Sequence, residues 1–363
     1  MKKIITFTVI LFLHVFAVAQ SEHKTFYDNG NPKQIGQFDE MENKTGEWKW
    51  YYENGQLETI GKYENDEQTG EWKNYFPNGK LNDVENWING QRNGKSENYY
   101  IDGQLYKIGM YSNGQKNKEW KEYHSNGNLS KIQHYENGKE TGEWKSYYEN
   151  GKLQCIGKYK NQNMVGEWKW YYESGQLDLI GKYDNGNKTG KWKSYYENGQ
   201  LASLESYSNG KEVGESKRYN VDGKLWIIGK YENGSQIGEW KWFHDDGSLK
   251  TIGNYSYGKS IGEWKGYHEN GQLEKIGKYD EDGERTGEWK TYHDNGQLSE
   301  IGKAKNGEQI GEWKYYHKNG QLAQVANYKD GEPEGLWEYY DENGKLYLLE
   351  NYENGEKTSE FER

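Results

Sequence analysis

Cysteine, proline and long apolar runs are almost missing from this chain, and each scarcity excludes something. A single cysteine, Cys155, among 363 residues excludes an intrachain disulfide framework, so stability must come from packing. Three prolines exclude a proline-rich linker protein. Hydrophobic residues supply only 32% of the chain, against roughly 45–50% for a similar set in globular proteins. A basic excess is also lacking: the net charge is −11, with no run of lysine and arginine, which argues against nucleic acid and anionic lipid surfaces as partners. Taken alone, these scarcities describe a chain too polar to fold. The aromatic residues say otherwise, because 34 Tyr, 16 Trp and 8 Phe make up 16% of the sequence, alongside 47 Gly. Disordered chains are poor in such rings. Repetition is the remaining way to order so polar a sequence.

The first residues read as an address. Lys2 and Lys3 precede an apolar stretch from Ile4 to Phe16, and Ala17-Val18-Ala19 matches a small-residue cleavage site. The stretch is shorter than the ~20 residues a membrane span needs. Residues 1–19 are therefore expected to be a signal peptide, and no second spanning run follows. The mature protein is expected to be exported: periplasmic, at the outer surface, or secreted.

From Gly46-Glu47-Trp48-Lys49 onward one phase returns at Gly70, Gly94, Lys118, Gly142, Gly166, Gly190, Gly214, Gly238, Gly262, Gly287, Gly311 and Gly335. That makes thirteen units over residues 46–358, each 24 residues long except the 25 from Gly262 to Gly287. Residues 20–45 hold a partial unit, and residues 359–363 begin one that is cut short. Within a unit two β-favouring runs flank Asn54-Gly55, a strong hairpin signal as a two-residue turn with φ > 0 at both positions. A second turn, often Asn-Gly again, as at Asn113-Gly114, separates units. The expected fold is all-β: an elongated single-layer meander of β-hairpins in which each unit contacts mainly its neighbours.

A two-residue turn at Asn54-Gly55 sets Tyr52 opposite Leu57, Trp50 opposite Thr59, Trp48 opposite Gly61 and Gly46 opposite Tyr63 on one face. Glu47 opposite Lys62, Lys49 opposite Ile60 and Tyr51 opposite Glu58 share the other. This predicts an indole from Trp48 over the Gly61 backbone, and a Glu47–Lys62 ion pair behind it. Trp fills the Trp48 phase in eleven of thirteen units, with Ser96 and Ser216 the exceptions, and Leu fills the Leu57 phase in all thirteen.

The pattern GEWKxYYxNGxLxxIGKYxNG, repeated across residues 46–358, resembles the MORN repeat. More narrowly it is similar to the bacterial MORN-repeat-variant group of YwqK-family antitoxin-like proteins. The resemblance implies successive hairpins in an elongated sheet and a scaffold for protein–protein contacts, and it carries no catalytic residues. A weaker resemblance, to choline- and glucan-binding wall repeats, rests on their Gly-Trp and Trp-Tyr-Tyr richness.

His124, His244, His268, His293 and His317 share one phase, the last four as a ladder. Their rungs lie ~9.6 Å apart in an otherwise aromatic slot, so they read as flat rings rather than metal ligands. The acidic turn Asp280-Glu281-Asp282-Gly283 lacks the terminal glutamate of a calcium loop. Cys155 takes the Thr59 phase with no nearby base. Repeated carboxylates are not the singular buried pair that catalysis needs. The expectation is a non-enzymatic protein without metal or cofactor. Its candidate binding residues are the ladder Trp48, Trp72, Trp120, Trp144, Trp168, Trp192, Trp240, Trp264, Trp289, Trp313 and Trp337, part of which a single layer should leave open to solvent. The expected partner is a protein, with cell-wall glycan stacked on the indoles, or a neutralised toxin, as the alternatives.

Overall fold

The computed structural model describes residues 22–362, so the leader expected over residues 1–19 lies outside the described residues. Every regular element among them is a β-strand. Two units of structure are distinguished, one ending at Gly142 and one beginning at Glu143. Within each, strands pair antiparallel with their neighbours in the chain. In the first, Lys44–Tyr51 pairs with Leu57–Glu64, which pairs with Glu67–Tyr75. In the second, Asn163–Tyr171 pairs with Leu177–Asp184, which pairs with Asn187–Tyr195. The partial unit forms a hairpin of its own, Glu22–Phe26 with Pro32–Phe38. The last strand, Glu356–Glu362, starts in the thirteenth unit and pairs with Leu346–Glu353.

Most of the expected register holds. Gly46 faces Tyr63, Glu47 faces Lys62, Trp48 faces Gly61, Lys49 faces Ile60 and Trp50 faces Thr59. The turn that produces it differs. Tyr52 N–H donates to the Gln56 carbonyl at 2.8 Å and Gly55 N–H to the Tyr52 carbonyl at 2.9 Å, closing a three-residue loop. Only Gly55 has positive φ, at 86°. The pairing therefore begins one residue out of step, with Tyr51 opposite Leu57, and a bulge at Glu58 restores it by Trp50 and Thr59. The two offsets cancel. The pairs Tyr52–Leu57 and Tyr51–Glu58 do not form, and Leu57 joins Tyr51 and Ile60 on the charged face instead of the tryptophan face.

The two-residue turns lie between hairpins. Asn65 and Asp66 have φ of 50° and 64°, and Asn113 and Gly114 have 48° and 75°, the geometry that matches strand twist.

The second irregularity shapes the core. Lys62 faces Thr69 while Ile60 faces Lys73, so the single residue Gly61 lies across from Gly70, Glu71 and Trp72. Gly70 takes φ of 72°, and glycine supplies the same bend in nearly every unit. Lys118 takes its place once, at φ 61°. The bend lays the Trp72 indole on Gly61, where a Cβ would stand 2.1 Å from the ring. Trp48 lies on Gly36 in the same way. The indole that covers a glycine is thus the following unit's, not the one expected from cross-strand pairing. Trp120 on Gly109, Trp168 on Gly157, Trp192 on Gly181, Trp240 on Gly229 and Trp313 on Gly302 repeat the contact. Burying an indole removes roughly 150–250 Å² of surface, on the order of 5 kcal/mol at about 25 cal/mol per Å².

Where the indole is missing the glycine is missing too, although Gln133 and Ala326 replace the glycine while Trp144 and Trp337 remain. Ser96 replaces the indole where Glu85 replaces the glycine, and Ser216 where Glu205 does. Arg92 Nε meets the Glu85 carboxylate at 2.9 Å, and Tyr207 donates to Glu205 at 2.8 Å. Burial raises the Glu85 carboxyl above its ordinary pKa, with the Arg92 charge opposing the shift.

Gly181→Ala should therefore cost about 3 kcal/mol, because Trp192 must leave its seat. The Gly181→Ala/Trp192→Ala double variant should cost little more than Trp192→Ala alone. Hydrogen exchange over residues 177–195 reads both, and a neutral Gly181→Ala would remove the seat from the account.

Candidate functional site: the aromatic face

The ladder expected to bind is mostly interior. Trp48 and Trp313 are 0% and 1% exposed, and Trp72, Trp120, Trp168, Trp192, Trp240 and Trp289 are likewise buried. Trp144, Trp264 and Trp337 are half-buried. These side chains hold hairpins together, and they do not form an open strip.

The accessible rings are those two residues further along the same strands. Trp50, Trp170 and Trp242 are half-buried, as are Tyr63, Tyr183 and Tyr255. Each group forms a three-ring cage with a buried indole as its floor. In the first, Trp48 stacks on Trp50 at 5.7 Å, and Tyr63 stands edge-on to both at 6.2 Å. The Lys44 ammonium occupies this cage, 4.7, 5.5 and 5.0 Å from the Trp48, Trp50 and Tyr63 ring centres. Lys188 sits likewise over Trp192 at 4.3 Å and Arg285 over Trp289 at 4.1 Å. Nothing in the repeat pattern singles out the Lys44 phase, because its residue changes from unit to unit. The second Trp of Trp-Lys-Trp was visible, but not its exposure.

The histidine ladder has a structural duty. Tyr52 donates its hydroxyl to the Tyr75 carbonyl of the next unit at 2.7 Å, and Tyr172 does the same to Tyr195 at 2.8 Å. His244 Nε2 meets the Tyr267 carbonyl at 2.9 Å, and His268, His293 and His317 meet those of Tyr292, Tyr316 and Tyr340 at 2.8 to 3.0 Å. Imidazole replaces phenol as the donor of one inter-unit bond. The turn asparagines add a parallel series. Asn54 donates to the Pro77 carbonyl at 3.1 Å and Asn319 to that of Glu342 at 2.8 Å. The same side chains accept from the amide two residues on, as Asn54 does from Gln56 at 3.0 Å.

On the charged face the ion pairs run along strands rather than across them. Glu47 meets Lys49 at 2.7 Å and Glu71 meets Lys73 at 2.7 Å, so the expected Glu47–Lys62 pair gives way to a closer partner. Both are exposed pairs of little energetic weight. Beside the Gly70 bend lies a hollow of about 370 Å³ that Ile60, Lys62, Glu71 and Tyr75 share. Asp280 spends a carboxylate oxygen on the amides of Asp282 and Glu284, at 3.0 and 2.9 Å. Cys155 does face the aromatic side, and burial pushes its thiol up to about 12.

The MORN repeat variant pattern matches twelve segments: residues 20–40, 44–65, 68–89, 116–137, 140–161, 164–185, 188–209, 236–257, 261–281, 285–306, 309–330 and 333–354. The chain belongs to the MORN-repeat-variant family. The MORN-variant matches pass over the stretches that hold Ser96 and Ser216, while Glu85 and Glu205 lie within the matched segments 68–89 and 188–209. No curated protein matches the chain. Solved structures similar to it include "Crystal Structure of TcdB2-TccC3-TEV", at 12% identity and a TM-score of 0.16, covering 91% of this chain and 21% of that one. "Structure of Photorhabdus luminescens Tc holotoxin pore, Mutation TccC3-D651A" follows at 11% identity and 0.15, covering 92% and 22%. The chain thus spans about a fifth of these structures' length.

Two outcomes follow for this MORN-variant array. His268→Tyr should leave thermal stability unchanged, while His268→Phe, which cannot donate, should cost about 1 kcal/mol; equal losses in denaturant titrations would refute the donor role. Cys155 should resist a thiol reagent at pH 8 in the folded protein and react at once in denaturant.

Proposed function

We propose that this protein is an exported, non-enzymatic scaffold that binds protein partners along its repeated surface. The observation that supports this most is the recurrence of one set of accessible groups. Half-buried Trp and Tyr rings stand on one face, and Glu–Lys pairs beside shallow hollows stand on the other, in unit after unit. A partner lying across several units gains from each of them, and no single side chain dominates. Toxin neutralisation would be one instance of such binding.

A tagged mature chain and versions lacking residues 287–310 or 287–334 would be used to capture proteins from envelope and extracellular extracts. Both deletions keep the phase of the array. Captured partner should decrease stepwise with each unit removed. A point substitution that abolishes capture while the array stays folded would defeat the distributed reading, and release by free sugar would move it to glycan.

A further inference from the structure

The cage around Trp168 repeats the one that holds Lys44, without the lysine. Trp168 stacks on Trp170 at 5.8 Å and 26°, against 5.7 Å and 27° for Trp48 and Trp50. Tyr183 stands 6.2 Å from Trp168 and 6.3 Å from Trp170, against 6.2 Å for both contacts of Tyr63. The residue at the Lys44 phase is here Met164. Beside it opens a cavity of about 440 Å³ lined by Met164, Trp144, Trp168, Trp170, Cys155 and Asp178.

The cavity has a cause in sequence. Ser146 and Cys155 occupy the phases that Trp170 and Leu179 fill one unit later, so small side chains stand where an indole and a leucine would close the face. Three indoles, of Trp144, Trp168 and Trp170, are among its lining, rings of a kind that attract cations through their quadrupole, and Asp178 adds a carboxylate.

We propose that the cage of Trp168, Trp170 and Tyr183, which shares both indoles with this cavity, receives a lysine or arginine side chain carried on a basic segment of a protein partner. The protein supplies the stand-in itself, since Lys44 places an ammonium in the matching cage within 5.5 Å of all three ring centres. The net charge of −11 favours a basic segment over an isolated amine, because the surrounding surface attracts its other charges too. This inference rests on the scaffold reading and adds the chemistry of the partner.

The test is calorimetric titration of the full mature chain with a hexalysine peptide, with hexaglutamate and choline as comparisons. Hexalysine should bind, hexaglutamate should not, and choline should bind more weakly. Met164→Lys fills the cage as Lys44 does, and Trp170→Ser removes one wall. Both residues already occur at these phases, as Lys188 and Ser194, so the array should still fold. Each variant should weaken hexalysine binding about tenfold. Asp178→Asn should weaken it less. Unchanged binding in both Met164→Lys and Trp170→Ser would overturn the proposal, as would choline binding as tightly as the peptide, or no binding of hexalysine at all. If hexalysine fails while stepwise capture by the deletion series persists, only this inference falls. If both fail, the scaffold reading falls with it.

Discussion

The structure depends on one contact, an indole lying flat on a glycine that belongs to the hairpin before it. Both partners are unusual choices for a strand. The glycine gives up side-chain packing, and the indole needs a left-handed bend at Gly70 or its equivalents to reach across. Neither choice benefits its own hairpin. Their value appears only between hairpins, which is why a chain of such low hydropathy can be ordered without a closed core. The tyrosine or histidine bond and the asparagine bond run the same way, from one hairpin to the next. Three ladders thus carry the array. One is apolar and two are polar.

How much of this was legible in the sequence depends on what sets each feature. The hairpins, the period and five of the cross-strand pairs around Trp48 follow from patterning and turn residues alone. The turn type did not, because Asn-Gly is ambiguous. At Asn113-Gly114 both residues take positive φ, while at Asn54-Gly55 only the glycine does and the asparagine serves as a hydrogen-bonding side chain. The error was hidden beyond Thr59, since a bulge at Glu58 returns the strand to the register the wrong turn would have given. It shows at Leu57, which changes face.

The candidate site was less legible for a related reason. Pattern identifies which indoles recur but not which hairpin each one packs against. Most ladder indoles seated on the preceding glycines are buried, and exposure passes to Trp50, Trp170 and Trp242. These vary between units, so recurrence ranked them below the more constant ladder. In this array the constant positions hold the fold, and the variable ones alter what the aromatic face presents.

The offset between glycine and indole also bears on how such a chain can lengthen or shorten. An exchange between two copies in phase joins the glycine of one to the indole of another, and the junction closes wherever both kinds of residue are present. A crossover at Glu85 with Ser96 or at Glu205 with Ser216 would set an indole against a carboxylate or leave a glycine uncovered, whereas Gln133 with Trp144 and Ala326 with Trp337 keep the indole without the glycine. The unit of such an exchange is therefore not the hairpin but the seam between hairpins, and the seams at Ser96 and Ser216 are the ones where both members are replaced together.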